Sequence, residues 1–288
     1  MKVKIGTRKS RLALAQTQLV VNRLKEVYPT IETELVYITT KGDRERDKPL
    51  SSMGGKGVFA GDIETALLNR EIDLAVHSAK DLPFALADGL VVSSVLKRGH
   101  CQDVLVVKAG SIVTGDIEMT VGTGSLRRRM YLQKLFKNAH TADIRGNVDT
   151  RLSKLLNGEY DAVILAMAGL ERIGLLEDNR FDFHVFNYSD FLPAPCQGII
   201  AVESRENDFT DEISANINDE KTYFSFETER SILSRLGGDC STPIGAYSYV
   251  SCGKINVSLS KDCNKIVTGT APVKERFSLV ERLVNMCG

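Results

Sequence analysis

The sequence predicts an α/β protein that ends in a small α+β domain. Three observations carry the prediction. Short apolar strands alternate with amphipathic helices from the N-terminus onward. The alternation restarts after Lys97-Arg98-Gly99-His100. The final stretch, beyond about residue 220, changes to one helix, three alternating strands and a last helix. Alternation of the first kind is expected to give parallel sheets covered on both faces.

In chain order, Val3-Lys4-Ile5-Gly6 reads as a strand. Ser10 is the expected N-cap of a helix with Leu12, Ala15, Leu19, Val20, Leu24 and Val27 at helical spacing, stopped by Pro29. A second strand follows over 34–39. The polar connection from Lys41 to Gly57, with Gly42, Pro49, Gly54 and Gly55, has a length typical of a lid or a disordered segment. A helix is expected over 59–69, with strands over 73–77 and 90–96. After His100 come strands over 103–107 and 120–122, helices over 125–136 and 148–156, and an apolar strand over 162–166. Pro193-Ala194-Pro195-Cys196-Gln197-Gly198 punctuates the chain before one more strand over 198–203. The tail gives a helix over 222–236, strands over 245–250, 254–259 and 266–270, and a terminal helix.

Composition narrows the function. A chain of 288 residues can bury a core large enough to dispense with disulfide or metal staples. Lys+Arg and Asp+Glu both number 37, aromatic content is 7% and tryptophan is absent, which argues against a nucleic-acid coat or an anionic-membrane binder. The N-terminus lacks the apolar run of a secretory signal, and no stretch approaches the roughly 18 apolar residues of a spanning helix. A cytoplasmic protein without a membrane or nucleic-acid partner is therefore expected. The six cysteines form no C-x-x-C pair and show no zinc spacing, so no metal is expected and most should be inert thiols.

Basic residues are normally disfavoured at helix N-termini, where the peptide dipoles already place positive charge. Here they recur at that position. Arg8-Lys9-Ser10-Arg11 opens the first helix, Gly122-Thr123-Gly124-Ser125-Leu126-Arg127-Arg128-Arg129 opens another, and Arg145-Gly146-Asn147 leads into a third with Arg151 one turn inside. Any one cluster alone reads as a solvated helix face. Three at equivalent strand–helix junctions, in a protein of zero net charge, point to a ligand with several separated carboxylates or phosphates. Gly122-x-Gly124 lacks the third glycine of a dinucleotide fingerprint.

His77-Ser78-Ala79-Lys80-Asp81-Leu82-Pro83 ends a buried-looking strand, with Lys80 and Asp81 at its carboxyl end. Alone, these two read as a turn aspartate and a surface lysine; beside the arginine clusters, a lone carboxylate among many cations stays ionised and suits stabilisation of a cationic intermediate. His77 reads as a core or hydrogen-bonded histidine. Gly237-Gly238-Asp239-Cys240-Ser241-Thr242-Pro243 frames Cys240 with glycines and a proline, which suits a covalent attachment point and a buried loop thiol about equally.

These segments together resemble the hydroxymethylbilane synthase (porphobilinogen deaminase) family. The motifs occur in family order over nearly the whole chain: Thr7-Arg8-x-Ser10 with Leu12-Ala13-Leu14-Ala15-Gln16, Thr40-x-Gly42-Asp43, Gly54-Gly55-Lys56-Gly57 with Phe59, Val76-His77-Ser78-x-Lys80-Asp81-Leu82-Pro83, Gly122-Thr123-x-Ser125-Leu126-Arg127-Arg128, Arg145-Gly146-Asn147-Val148 with Thr150-Arg151-Leu152, Ala168-Gly169-Leu170-x-Arg172, and Cys240 ahead of Pro243-Ile244-Gly245.

The resemblance implies two α/β domains like those of periplasmic binding proteins, joined by two hinge crossings, plus a small C-terminal α+β domain. The divisions would be 1–97 with 198–217, then 101–190, then 220–288. It implies a transferase that condenses four porphobilinogen units into linear hydroxymethylbilane, releasing ammonia each time, within tetrapyrrole and heme biosynthesis. A covalent dipyrromethane cofactor would be held as a thioether on Cys240, and Asp81 would be the catalytic carboxylate, stabilising azafulvene and pyrrolenine-type intermediates. Ser78, Lys80, Thr123, Ser125, Arg127, Arg128 and Arg151 match cofactor-binding positions. Arg8, Ser10, Arg145, Arg172 and Gln197 match substrate-binding positions, and Lys56 a lid position. A monomer with porphobilinogen as its small-molecule substrate is expected.

Three positions depart from the family pattern: Asp239 and Cys196 stand where glycine is common, and Gly61 replaces a common basic residue. The competing class is a non-catalytic two-lobed anion-binding protein, which would have no use for an accessible Cys240.

Overall fold

Each element of the computed structural model, which describes residues 1–44, 60–83, 85–238 and 242–287, follows a local rule of the chain. The first strand, β1 (Lys2–Thr7), leads into α1 (Arg11–Val27), whose N-cap Ser10 accepts a hydrogen bond from the Ala13 amide at 3.2 Å. Then come β2 (Glu32–Tyr37), α2 (Lys41–Arg44), α3 (Gly61–Leu68), β3 (Leu74–Ser78), a 3-10 turn at Ala79–Asp81 and β4 (Leu90–Val95). A second run holds β5 (Asp103–Lys108), β6 (Met119–Gly122), α4 (Leu126–Leu135), β7 (Ala139–Ala142), α5 (Val148–Leu156), β8 (Ala162–Ala166), α6 (Met167–Arg172) and β9 (Phe181–Val185). The chain returns at β10 (Ile200–Arg205) and α7 (Phe209–Ala215). It closes with α8 (Glu220–Leu236), β11 (Gly245–Ser251), β12 (Lys254–Ser260), β13 (Val267–Pro272) and α9 (Arg276–Cys287).

The first sheet has the order β2-β1-β3-β10-β4 and the second β7-β6-β8-β5-β9, so the two share one topology. Three neighbouring strands are parallel in each; the fourth runs against them, and the fifth, antiparallel to the fourth, runs in the direction of the first three. This corrects the expectation of wholly parallel sheets. The reversed strands β5 and β10 each arrive through a crossing from the other lobe and so run against their neighbours. The third sheet is an antiparallel meander, β11-β12-β13, covered by α8 and α9. The sequence reading lacked β7 and β9, which are short and partly polar.

The crossings meet at two glycines. The Gly99 amide donates to the Gly198 carbonyl at 3.1 Å. Gly198 has φ +87°, and a Cβ there would lie 2.7 Å from the Gly99 carbonyl oxygen, so no other residue fits. Cys196, at φ +62°, also occupies the left-handed region, which accounts for a glycine being common at that position in the resembled family. Helix α8 clamps both crossings. Its buried Glu229 accepts from Arg98 Nη1 at 2.6 Å and Nη2 at 3.1 Å, from the Cys196 amide at 2.6 Å and from the Ser248 amide at 2.7 Å. Arg98 in turn stacks on Tyr247 and donates to the Gln197 carbonyl at 2.9 Å. Among the described residues, no helix is long and apolar enough to cross a membrane.

Candidate active site

Helices α1, α4 and α5 each follow a strand, β1, β6 and β7 in turn, with a polar cap at the junction. The caps are Ser10 for α1, Ser125 for α4 and Asn147 for α5; Ser125 Oγ accepts from the Arg128 amide at 3.4 Å and Asn147 Oδ1 from the Thr150 amide at 2.9 Å. The first turns of α1 and α4 hold no acidic residue, leaving their dipoles unmatched. Gly146, at φ +111°, precedes the α5 cap, and a Cβ there would lie 2.6 Å from the Thr150 side chain.

The centre of the cluster is a residue the sequence reading passed over. Asp103, fully buried at the start of β5, accepts from Arg128 Nη2 (2.7 Å) and Nε (3.0 Å), from Arg127 Nη2 (2.7 Å) and from Gln197 Nε2 (3.0 Å). Burial pushes its carboxyl upward, but Arg127, Arg128 and Lys80 overcome that and hold it well below the usual carboxylate range. Asp81 is therefore not the isolated carboxylate that the sequence suggested. The only sequence signal for Asp103 was a charged residue heading an apolar strand.

Across the crossing, Lys80 Nζ donates to Gln197 Oε1 at 3.2 Å, while Gln197 Nε2 also donates to the Cys101 carbonyl at 2.8 Å. Burial, aided by Arg128 and opposed by Asp81, pushes the Lys80 ammonium down to about 8. Ser78 accepts from Gln16 Nε2 at 2.9 Å. His77 Nε2 lies 2.9 Å from Glu203 Oε2 inside the first lobe, the core role expected of it. Asp81 ends the 3-10 turn with its side chain exposed and interacts with Lys80, Arg128 and Arg151.

The remaining candidates divide. Arg151 is half-buried, donates from Nε to the Gly146 carbonyl at 2.9 Å, and is pushed down to about 10 by burial and by Arg128, with Arg145 adding to the shift. Arg172 donates to the Gly198 carbonyl at 2.5 Å and is likewise pushed down to about 10, by burial, with Glu171 opposing. Thr123 is buried, its Oγ1 accepting from the Ser125 amide at 3.2 Å. Arg8 and Arg145 are half-buried and engaged within the chain. Arg127 and Arg128 are both buried and bonded within the chain: Arg127 places Nη1 on the Leu192 carbonyl at 2.6 Å and Nη2 on Asp103, and Arg128 places Nη1 on the Ile164 carbonyl at 2.9 Å besides its bonds to Asp103. Arg11 bridges to Asp149 at 3.3 Å, and Arg129 pairs with Asp143 on the outer side. Cys240, Asp239, Lys56 and Phe59 lie outside the described residues.

Lys80, Arg127, Arg128, Arg145 and Arg151 thus form one electrostatically coupled set whose carboxylate partners are Asp103 and Asp81. Burial lowers Lys80, Arg128 and Arg151 because the surrounding negative charge does not fully compensate them. A ligand bearing carboxylates would supply what is missing, so these residues fit a polycarboxylate pyrrole group.

Comparison with known proteins agrees with this chemistry. Residues 3–212 match the family described as "Porphobilinogen deaminase, dipyromethane cofactor binding domain", and residues 223–270 match "Porphobilinogen deaminase, C-terminal domain". Porphobilinogen deaminase of Rickettsia typhi is 43% identical over 274 residues, covering 93% of this chain and 91% of that protein. The probable porphobilinogen deaminase of Picrophilus torridus is 45% identical over 249 residues, 86% of each chain. That of Streptococcus sanguinis is 43% identical, covering 85% of this chain and 81% of that protein. With a matching sequence over most of its length and a buried cation set suited to acidic pyrroles, this chain belongs to the porphobilinogen deaminase family.

Proposed function

We propose that this chain joins four porphobilinogen units head to tail into linear hydroxymethylbilane, releasing one ammonia per unit, in tetrapyrrole biosynthesis. The observation that carries the reading is the excess of desolvated cations around Asp103 and Asp81. When bound, the dipyrromethane supplies the nucleophilic pyrrole carbon to which the first unit is joined. Arg128, Arg151, Lys80 and the N-terminal amides of α4 beside Ser125 are the groups suited to hold its carboxylates, with Thr123 and Ser78 shaping the wall. Arg127 serves by fixing Asp103, which orients Arg128.

Arg8, Ser10, Arg145, Arg172 and Gln197 are assigned to the incoming unit, Lys56 to a covering loop and Cys240 to the thioether. The Asp81 carboxylate stabilises positive charge as ammonia leaves the aminomethyl carbon. At an effective dielectric constant of about 20, a carboxylate at about 4 Å from such a charge contributes roughly 4 kcal/mol before desolvation. The three-part division into 1–97 with 198–217, 101–190 and 220–288 frames this reading, and the chain acts as a cytoplasmic monomer without nucleic-acid or membrane partners.

Intact-protein mass spectrometry tests it. The purified protein should carry the added mass of two linked pyrroles and react with an acidic aldehyde reagent, and Cys240→Ala should abolish both. An active protein of unmodified mass would refute the reading.

A further inference from the structure

Tyr223, Phe226 and Arg230 share one face of α8 at helical spacing. Phe226 packs in one buried cluster with Ala79, Leu82, Cys196 and Ile199, and Tyr223 lies at its edge. The 3-10 turn that ends in Asp81 therefore rests on a helix from outside its own lobe. Its internal bonding is sparse: the Leu82 amide reaches the Ala79 carbonyl only at 3.4 Å, and Pro83 has no N–H to give.

External groups hold the turn at both ends. The Ala79 amide donates to the Ile199 carbonyl at 3.0 Å, and Arg230 Nη2 donates to the Pro83 carbonyl at 2.8 Å. The same guanidinium stacks over the Phe226 ring, 5.5 Å from its centroid. Asp81 stands between the two anchors.

We propose that Arg230 is a positioning residue for Asp81, its hydrogen bond to the Pro83 carbonyl fixing where the Asp81 carboxylate stands. This rests on the reading of Asp81 as the catalytic carboxylate. Arg230 also ties that carboxylate to the helix whose C-terminal end leads to Cys240. The neighbouring Glu229 clamps both crossings, so one turn of α8 registers the hinge and the carboxylate together. Lysine cannot replace this arginine, because a single ammonium lacks the planar fork that stacks and donates at once.

The test compares holoenzyme carrying Arg230→Lys, Asp81→Asn or both with the unsubstituted protein. Porphobilinogen turnover and the aldehyde reaction of the attached pyrroles are followed in each. Arg230→Lys should keep the attached pyrroles and lower kcat about tenfold with KM within about twofold. Combined with Asp81→Asn, it should add less than about twofold, because it acts through that carboxylate. Multiplied losses in the double variant, or an unaltered kcat in Arg230→Lys, would overturn the proposal. Should Arg230→Lys not fold, Arg230→Gln carries the same comparison. Failure of the unsubstituted holoenzyme to consume porphobilinogen would instead overturn the functional reading, and full turnover by Asp81→Asn would overturn both.

Discussion

The Lys80 ammonium stands 3.2 Å from Gln197 Oε1, so a cation of the first lobe is fastened to the segment that returns from the second. Gln197 passes the connection on to Asp103 and thence to Arg127 and Arg128. The binding groups of the two lobes thus share one hydrogen-bonded chain through the crossing. Gln197→Leu would leave the Lys80 donor and the Cys101 carbonyl without this partner. A loss of about 1–3 kcal/mol in denaturant unfolding is expected, and an unchanged midpoint would show that the side chain contributes nothing.

Lys80 titrates within reach of ordinary assays. Its folded value of about 8 lies below the lysine norm, so the fold opposes its charge. That penalty is present below about pH 8 and disappears as pH rises from there toward the unfolded value. For catalysis the sign is opposite: neutral Lys80 no longer attracts carboxylates. We expect kcat/KM to decline above about pH 8, with the limb moved far upward in Lys80→Arg. A limb in the same place in both proteins would assign it to another group.

Asp103→Asn should be among the most damaging substitutions. It leaves Arg127 and Arg128 buried beside a neutral amide, at a cost of about 3–5 kcal/mol. The depressed Asp103 carboxyl also sets an acid limb. Its contribution is complete above the unfolded carboxylate value of about 3.9 and drains as pH falls toward the lower folded value. Stability measured between about pH 5 and 2 should fall less steeply in Asp103→Asn than in the unsubstituted protein.

Gly198→Ala tests the crossing itself. A left-handed alanine costs about 1–2 kcal/mol, and its Cβ would meet the Gly99 carbonyl oxygen at 2.7 Å. The hinge strands must separate to accept it. We expect a fall of at least about 2 kcal/mol in unfolding free energy, read by calorimetry. The same substitution at the exposed Gly110, where no atom lies within 4 Å of the added Cβ, should show only the backbone part.

Much of this architecture was legible because it is local. Ser10, Ser125 and Asn147 cap the helices that their spacing announced, and the motif from His77 to Pro83 ends β3 as expected. The reversal of β5 and β10 was not legible, since an apolar run carries no direction and its neighbours come from distant segments. Asp103 was hidden for the same reason: its partners come from distant segments, Arg127 and Arg128 through the assembly of the second sheet and Gln197 through the returning crossing. Arg127, Arg128 and Arg129 are adjacent in sequence, yet only the first two face Asp103, because the helical rotation sends Arg129 to Asp143.

The first sheet takes β10 from beyond the second crossing, so the first lobe cannot finish assembling on its own, whereas all five strands of the second sheet lie in one continuous stretch from Asp103 to Val185. During synthesis, Leu74 to Ser78 must wait, exposed on one edge, until Ile200 to Ser204 leaves the ribosome. The whole second lobe is made in the meantime. The first lobe is therefore expected to close last, after the continuous second lobe is complete, and a fragment truncated ahead of Ile200 should aggregate through that open edge.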